Sequence, residues 1–337
     1  MSRRFFLVSG VLLIVLSSVG LVRPAGAASA HSVAVRADVF FKEYPIPGAN
    51  GYPYDITTGP DGNLWFTEHG RNEIGKMTPK GIFREYRVAT RDAGLENITV
   101  GSDGNLWFTE ALANRIGRIT LTGAIVEFVI PTSASYPEDI TAGPDGNLWF
   151  TEDIGNKIGR ITPRGVITEF LLPDPNSFPG SITKGPGRTL WFTVPVLDKI
   201  GSITTGGAIT EYTIPTSTGD DYPGGIVAGP DGNLWFTEVN GNRIGRITRH
   251  GAITEYLVPT SDSGPWDITV GPDGNLWFSE IYLNKIGRIT PGGSVTEFRL
   301  PIGHRPSGIT AGPLKSVWFA DLDASQIGQA KPLHRAS

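Results

Sequence analysis

Six carboxylates recur at one position of a repeated Trp-Phe phrase, at Glu68, Glu110, Glu152, Glu238, Glu280 and Asp321, while Val194 takes the remaining place. Converging carboxylates raise one another's pKa or recruit a cation, and an all-oxygen set suits Mg²⁺ or Ca²⁺ better than a soft metal. The same residues also have a structural use. Each can pair with the base that precedes an Ile-Gly phrase, at Arg115, Lys157, Lys199, Arg243 and Lys285, or accept from loop amides.

A second recurring position reads Tyr54-Asp55, Glu96-Asn97, Glu138-Asp139, Gly180-Ser181, Gly224-Gly225, Trp266-Asp267 and Ser307-Gly308. Trp266 departs from the other seven tryptophans, which all belong to the Trp-Phe phrase or its equivalents. An amphipathic ring there can stack on a ligand or pack as part of a rim. Val194-Pro195-Val196-Leu197 supplies either an apolar pocket wall or a face for a neighbour. Of the five histidines, His69 and His304 fall in segments flanking these positions and are the candidates for proton transfer, the alternative being solvated loop histidines. No Gly-x-Ser-x-Gly elbow, phosphate-binding loop or His-Glu-x-x-His phrase is present.

The elements that must position these residues follow from the repeat. Tryptophans at 65, 107, 149, 191, 235, 277 and 318 are spaced by 42, 42, 42, 44, 42 and 41 residues. Within residues 136–173 four period-two segments alternate with turn chemistry: strands over 139–142, 147–152, 157–162 and 166–172, with Gly143-Pro144-Asp145-Gly146 and Pro163-Arg164-Gly165 as turns. Four short strands at such a period are the signature of propeller blades. The expected fold is therefore all-β, a seven-bladed β-propeller of four-stranded blades. The seventh unit stops after Ile327-Gly328, and the segment 41–47 matches the outer strand at 209–215, so the N-terminal strand should complete the last blade. Closure removes exposed sheet edges, whereas an open solenoid would need caps that the sequence lacks. In such a blade the approach to strand one and the loop between strands two and three share a face. That face is the candidate mouth, and its central opening should be acidic.

Gly and Pro together form about one-fifth of the 337 residues, so long helices are not expected. With 29 basic and 33 acidic residues, the formal net charge of −4 argues against a nucleic-acid partner. Zero cysteines exclude disulfides, thiolate catalysis and Cys-ligated metals. Residues 1–30 read as a secretory signal: Arg3 and Arg4, an apolar run to Val22, then small residues with cleavage expected after Ala27 or Ala30. An uncleaved anchor is the alternative. The expected organisation is a signal over 1–30, a single propeller over 38–330 and a tail over 331–337, secreted or periplasmic, monomeric, and off the membrane once the signal is removed.

The wording GPDGNLWFTE, NRIGRIT and ITEF closely resembles the streptogramin B lyase (virginiamycin B lyase) family across residues 38–329. The resemblance implies a seven-bladed propeller that linearises cyclic depsipeptides by Mg²⁺-assisted elimination, with a histidine base and metal-holding glutamates at the mouth. The family's blade-six histidine falls on Trp266, in Pro265-Trp266-Asp267-Ile268-Thr269. Its blade-seven glutamate and base histidine fall on Arg305 and Ser307, in Arg305-Pro306-Ser307-Gly308-Ile309. A further metal-binding glutamate falls near Asp321 or Asp323.

The sequence thus leads to a propeller of this family whose mouth takes a small-molecule or peptide ligand. One hypothesis is a carbon–oxygen lyase with a rearranged site, with His304 or His69 as base and a cation held by Asp321, Asp323 and Glu280. Another is a non-catalytic recognition propeller in which Tyr54, Glu96, Glu138, Trp266, Arg305 and Ser307 bind the ligand. A lactonase using a carboxylate-held Ca²⁺ is the third.

Overall fold

The computed structural model describes residues 39–48, 50–215, 220–300 and 305–333. The expected signal, its cleavage site and His304 lie outside the described residues.

Seven four-stranded antiparallel sheets form the ring, giving a seven-bladed β-propeller. Blade one runs Pro53–Thr58, Leu64–Glu68, Glu73–Met77 and Phe83–Arg87, in that order across the sheet. Blade three is Pro137–Ala142, Leu148–Glu152, Lys157–Ile161 and Ile167–Leu171, within a residue or two of the segments expected from alternation. The last blade joins Pro306–Gly312, Ser316–Asp321 and Gln326–Pro332 to Val39–Pro45 as its outer strand. Register pairs Phe41 with Ala330 and Tyr44 with Ile327, so chain start and chain end are held by one ladder. That final strand continues to Pro332, beyond 330.

Burial explains why the Trp-Phe phrase repeats. Each tryptophan packs between its own blade and the next: Trp65 lies in one cluster with Leu106 and Phe108, and Trp318 in one with Ile56, Leu64 and Phe66, which closes the ring. In six blades an outer-strand ring stacks on the tryptophan, as Phe170 does on Trp149 with centroids 5.4 Å apart. The turn aspartate anchors the indole N–H, with Trp149 Nε1 donating to Asp145 Oδ1 at 3.0 Å. The glycine of each Ile-Gly phrase makes room for the phenylalanine: a Cβ on Gly117 would stand 2.1 Å from the Phe108 ring.

Candidate functional site

The face expected to form the mouth is assembled by backbone hydrogen bonds. The loop after strand two donates to the approach of strand one: His69 N to Tyr52 O at 3.2 Å, Asp153 N to Tyr136 O at 3.0 Å, and Leu322 N to Arg305 O at 3.0 Å. In six blades the innermost strand slips register just after its first residue, a proline in five of them and Leu95 in blade two, as between Pro137 and Ile140 in blade three. Such a bulge re-aims side chains, and it carries the second recurring pair of the sequence.

Hydroxyls of strand two hold these bulges and pass the hold to the next blade. Thr67 Oγ1 accepts from Asp55 N at 3.1 Å and donates to Glu96 O at 2.6 Å. Thr109 donates likewise to Glu138 O, Thr237 to Trp266 O and Ser279 to Ser307 O. Blade seven has Ala320 at that place. There Ser307 Oγ itself reaches blade one, donating to Tyr54 O at 2.8 Å, and it is 1% exposed.

Three aspartates add a second set of stitches. Asp55 accepts from Ile98 N at 2.9 Å, Asp139 from Ile182 N at 2.7 Å and Asp267 from Ile309 N at 2.8 Å, each bond crossing to the following blade. Asp139 also accepts from Ile140 N and Ser181 Oγ, and Asp267 from Ile268 N. Burial pushes Asp139 up to about 6 and Asp267 up to about 7 despite these bonds. A Cβ on Gly308 would stand 2.5 Å from Asp55 Oδ1, so the ring closure needs glycine there.

A cavity of about 780 Å³, counting its open end, sits at the mouth. Tyr54, Glu138, Tyr222, Trp266 and the three stitching aspartates line it, together with Asn97 and Pro195. No Lys, Arg or His is among the lining residues. Glu138 stands out because the described residues give its carboxylate neither a hydrogen bond nor an ion pair. Burial, and then the charges of Asp153, Glu96 and Asp139, push its carboxyl well above the usual range. Beside it Glu96 is buried, receives Tyr136 Oη at 3.3 Å, and is pushed up by burial to about 7. Asp153 is raised by burial to about 6.

Other sequence candidates lie elsewhere. Nδ1 of His69 is 3.2 Å from the Leu95 carbonyl, which makes that nitrogen the donor, and His69 does not line the cavity. Arg305 pairs with Asp323 at 3.7 Å, with both side chains nearly half exposed. Asp321 is buried, with Gln326 Nε2 donating to it at 3.4 Å. Glu280 and its equivalents Glu68, Glu110, Glu152 and Glu238 are fully buried below the rim. In four blades each faces an outer-strand carboxylate, Glu280 facing Glu297 and Glu152 facing Glu169, whose charge opposes ionisation of the inner acid. Burial and that neighbour raise Glu110, Glu152 and Glu280 to about 8, and Glu238 to about 9.

Four of the bases before Ile-Gly serve the outer carboxylate, Lys285 lying 3.0 Å from Glu297 and Lys157 lying 3.3 Å from Glu169, while Arg243 lies 3.7 Å from Asp221. In blade four, Val194 removes the inner acid and Lys199 pairs with Glu211 alone at 2.9 Å. Blade one has Glu73 where the base belongs. The three acids Glu68, Glu73 and Glu85 cluster there, and Arg71 fills their midst, 3.0 Å from both Glu73 and Glu85.

The donor set implied for Mg²⁺ does not fit such an ion. Arg305 puts a guanidinium at the place of one ligand and engages Asp323, Asp321 is taken by an amide, and Ser307 is spent on backbone carbonyls. The structure brings Tyr54, Glu138 and Trp266 to one cavity and keeps Glu280 and His69 out of its lining. Tyr222 and Asp153 were missed from sequence. Tyr222 had a readable signal, since Tyr52, Tyr136, Phe178 and Tyr222 occupy one repeat position, each before a proline.

Fold and mouth together define a seven-bladed propeller with a cavity at its mouth lined by acids and aromatic rings. The chain belongs to the virginiamycin B lyase family, whose model matches residues 39–220 and 217–335. It is 42% identical to the selenomethionine-substituted virginiamycin B lyase of Staphylococcus aureus, covering 88% of this chain and 100% of that one, with a TM-score of 0.84. The same values hold for a catalytically inactive variant of that enzyme with quinupristin. A streptogramin B lyase structure is 40% identical over 87% of this chain and 97% of its own, with a TM-score of 0.83.

Proposed function

We propose that this chain is an exported recognition propeller of the virginiamycin B lyase family, which binds a cyclic depsipeptide or related small ligand at its mouth without metal-assisted elimination. The observation that carries this reading is Ser307. It stands where the family resemblance puts the base, and its hydroxyl bonds the Tyr54 carbonyl. Trp266 at the other histidine position offers stacking rather than proton transfer. The partner is a small molecule or peptide, and the propeller acts as a monomer.

The test incubates purified protein with quinupristin, with and without Mg²⁺, and follows linear product by mass spectrometry alongside calorimetric titration. The expected result is saturable binding that EDTA leaves intact and Trp266→Ala weakens, with no linear product. A linear product that depends on Mg²⁺ overturns the reading. N-terminal sequencing of protein recovered outside the cytoplasm checks export, which requires a new terminus after Ala27 or Ala30.

Turnover by a rearranged site, as lyase or lactonase, is the second reading, with Glu96 and Asp153, whose charges act on the cavity's Glu138 and whose carboxyls burial raises, as its candidate bases. In that reading a linear product forms without metal, and Glu96→Gln or His304→Ala identifies the base.

A further inference from the structure

We propose that the mouth is selective for an alkylated organic cation, a tertiary or quaternary ammonium seated among Tyr54, Tyr222 and Trp266 with Glu138 as its counter-ion. This rests on the recognition reading and names the ligand class it would take.

Three observations meet at the cavity. The first is charge: Glu138, Asp55, Asp139 and Asp267 all line it, and no basic residue does. An anionic ligand would meet uncompensated repulsion there. The second is which acid is available. Asp55, Asp139 and Asp267 spend their oxygens on backbone amides that tie successive blades together. The Glu138 carboxylate has no such bond or ion pair among the described residues, yet Asp153, Glu96 and Asp139 are the charges around it. A cation beside Glu138 relieves that repulsion. The third is the aromatic lining. Indole and phenol faces attract cations through their quadrupoles, and the attraction strengthens as water is removed.

The same inventory separates classes of cation. A divalent metal held by one open carboxylate would keep most of its coordination shell as water and gain nothing from the rings, so it would bind weakly here. A primary ammonium wants three acceptors. An alkylated ammonium needs few acceptors and gains most from rings. Tyr222 holds a left-handed backbone, φ 52°, at a repeat position where Gly94 and Gly264 serve blades two and six. Tyr52, Tyr136 and Phe178 hold the same left-handed backbone in blades one, three and four, so the repeat itself places an aromatic ring at this position, and among these four it is Tyr222 that lines the cavity.

The experiment titrates the full-length processed protein with choline, with its neutral carbon isostere 3,3-dimethylbutan-1-ol and with Nα-acetyl-lysine methylamide, by ligand-observed NMR. Choline should bind about tenfold more tightly than the isostere. Glu138→Gln, an amide that imitates the protonated acid and so preserves the fold, should remove most of that preference. Trp266→Leu should weaken choline more than the isostere. Equal binding of choline and its isostere, or a Glu138→Gln protein that still discriminates between them, overturns the proposal. So does tighter binding of the lysine amide. Quinupristin binding with no choline binding sinks the cation assignment and leaves the recognition reading standing, whereas failure of both ligands sinks the two together.

Discussion

Ser307 Oγ donates to the Tyr54 carbonyl at 2.8 Å, a bond that Thr67, Thr109 and Thr237 make from strand two when they hold the next blade's bulge. Ala320 cannot make it, so the hydroxyl that closes the ring comes from the strand beside it. Ser307→Ala should therefore cost about 1–2 kcal/mol, the usual consequence of leaving a buried acceptor unpaired. Ala320→Thr in the same chain should restore most of the loss. Urea denaturation of the single and double variants reads this out, and a double variant no more stable than Ser307→Ala would contradict the exchange of roles.

The strand-two glutamates make stability depend on pH in an unusual direction. Glu110, Glu152 and Glu280 keep a proton up to about 8 and Glu238 up to about 9, mainly through burial, whereas an ordinary glutamate releases it at 4.5. Between those values the folded chain binds more protons than the unfolded chain, so stability falls as pH rises. Salt-bridged carboxylates do the opposite. The melting temperature by calorimetry should be highest near pH 5 and decline toward pH 9. Glu280→Gln should match the parent protein near pH 5 and exceed it near pH 9, and an unchanged slope would refute the protonated-pair assignment.

Metal binding at the rim should be recoverable by charge. Arg305 and Asp323 form a partly exposed pair at 3.7 Å. Arg305→Glu replaces the cation with a second carboxylate beside Asp323 and should create Mn²⁺ binding on the order of 10⁻³ M, visible as loss of the free-ion signal in electron paramagnetic resonance. Arg305→Gln should create none. Parent protein that already depletes free Mn²⁺ would show that the guanidinium does not exclude it.

The fold was readable because one phrase repeats: the spacing of Trp65 through Trp318 gives the blades, and the 41–47 segment gives the closure. Glu280 was harder. Alternation places it at the end of strand two, but only the register shows Glu280, Lys285 and Glu297 on one face of blade six, where the lysine takes the outer acid and the inner one keeps its proton. The distinction between Asp139 and Glu138, adjacent on one bulge, was also hidden in the sequence. Which of two neighbouring acids meets the next blade's amide depends on how the bulge turns them, and composition carries no trace of that.

The closure itself yields the last prediction. Val39–Pro45 is the outer strand of blade seven, and Tyr44 packs on Trp318 with centroids 5.5 Å apart, in the place other blades give to a ring of their own fourth strand. Removing residues through Pro47 takes away that ring and leaves Gln326–Pro332 with an unpaired ladder. An open, apolar-backed edge pairs readily with other chains. The truncated protein should unfold at lower urea concentration than the propeller beginning near Ala30 and should elute as oligomers in size-exclusion chromatography. Adding a synthetic peptide of residues 38–47 should shift it back toward monomer, because the ladder it restores is the one that joins the two ends of the ring. A truncated chain that stays monomeric with an unchanged urea midpoint would mean that the first strand contributes little to closure.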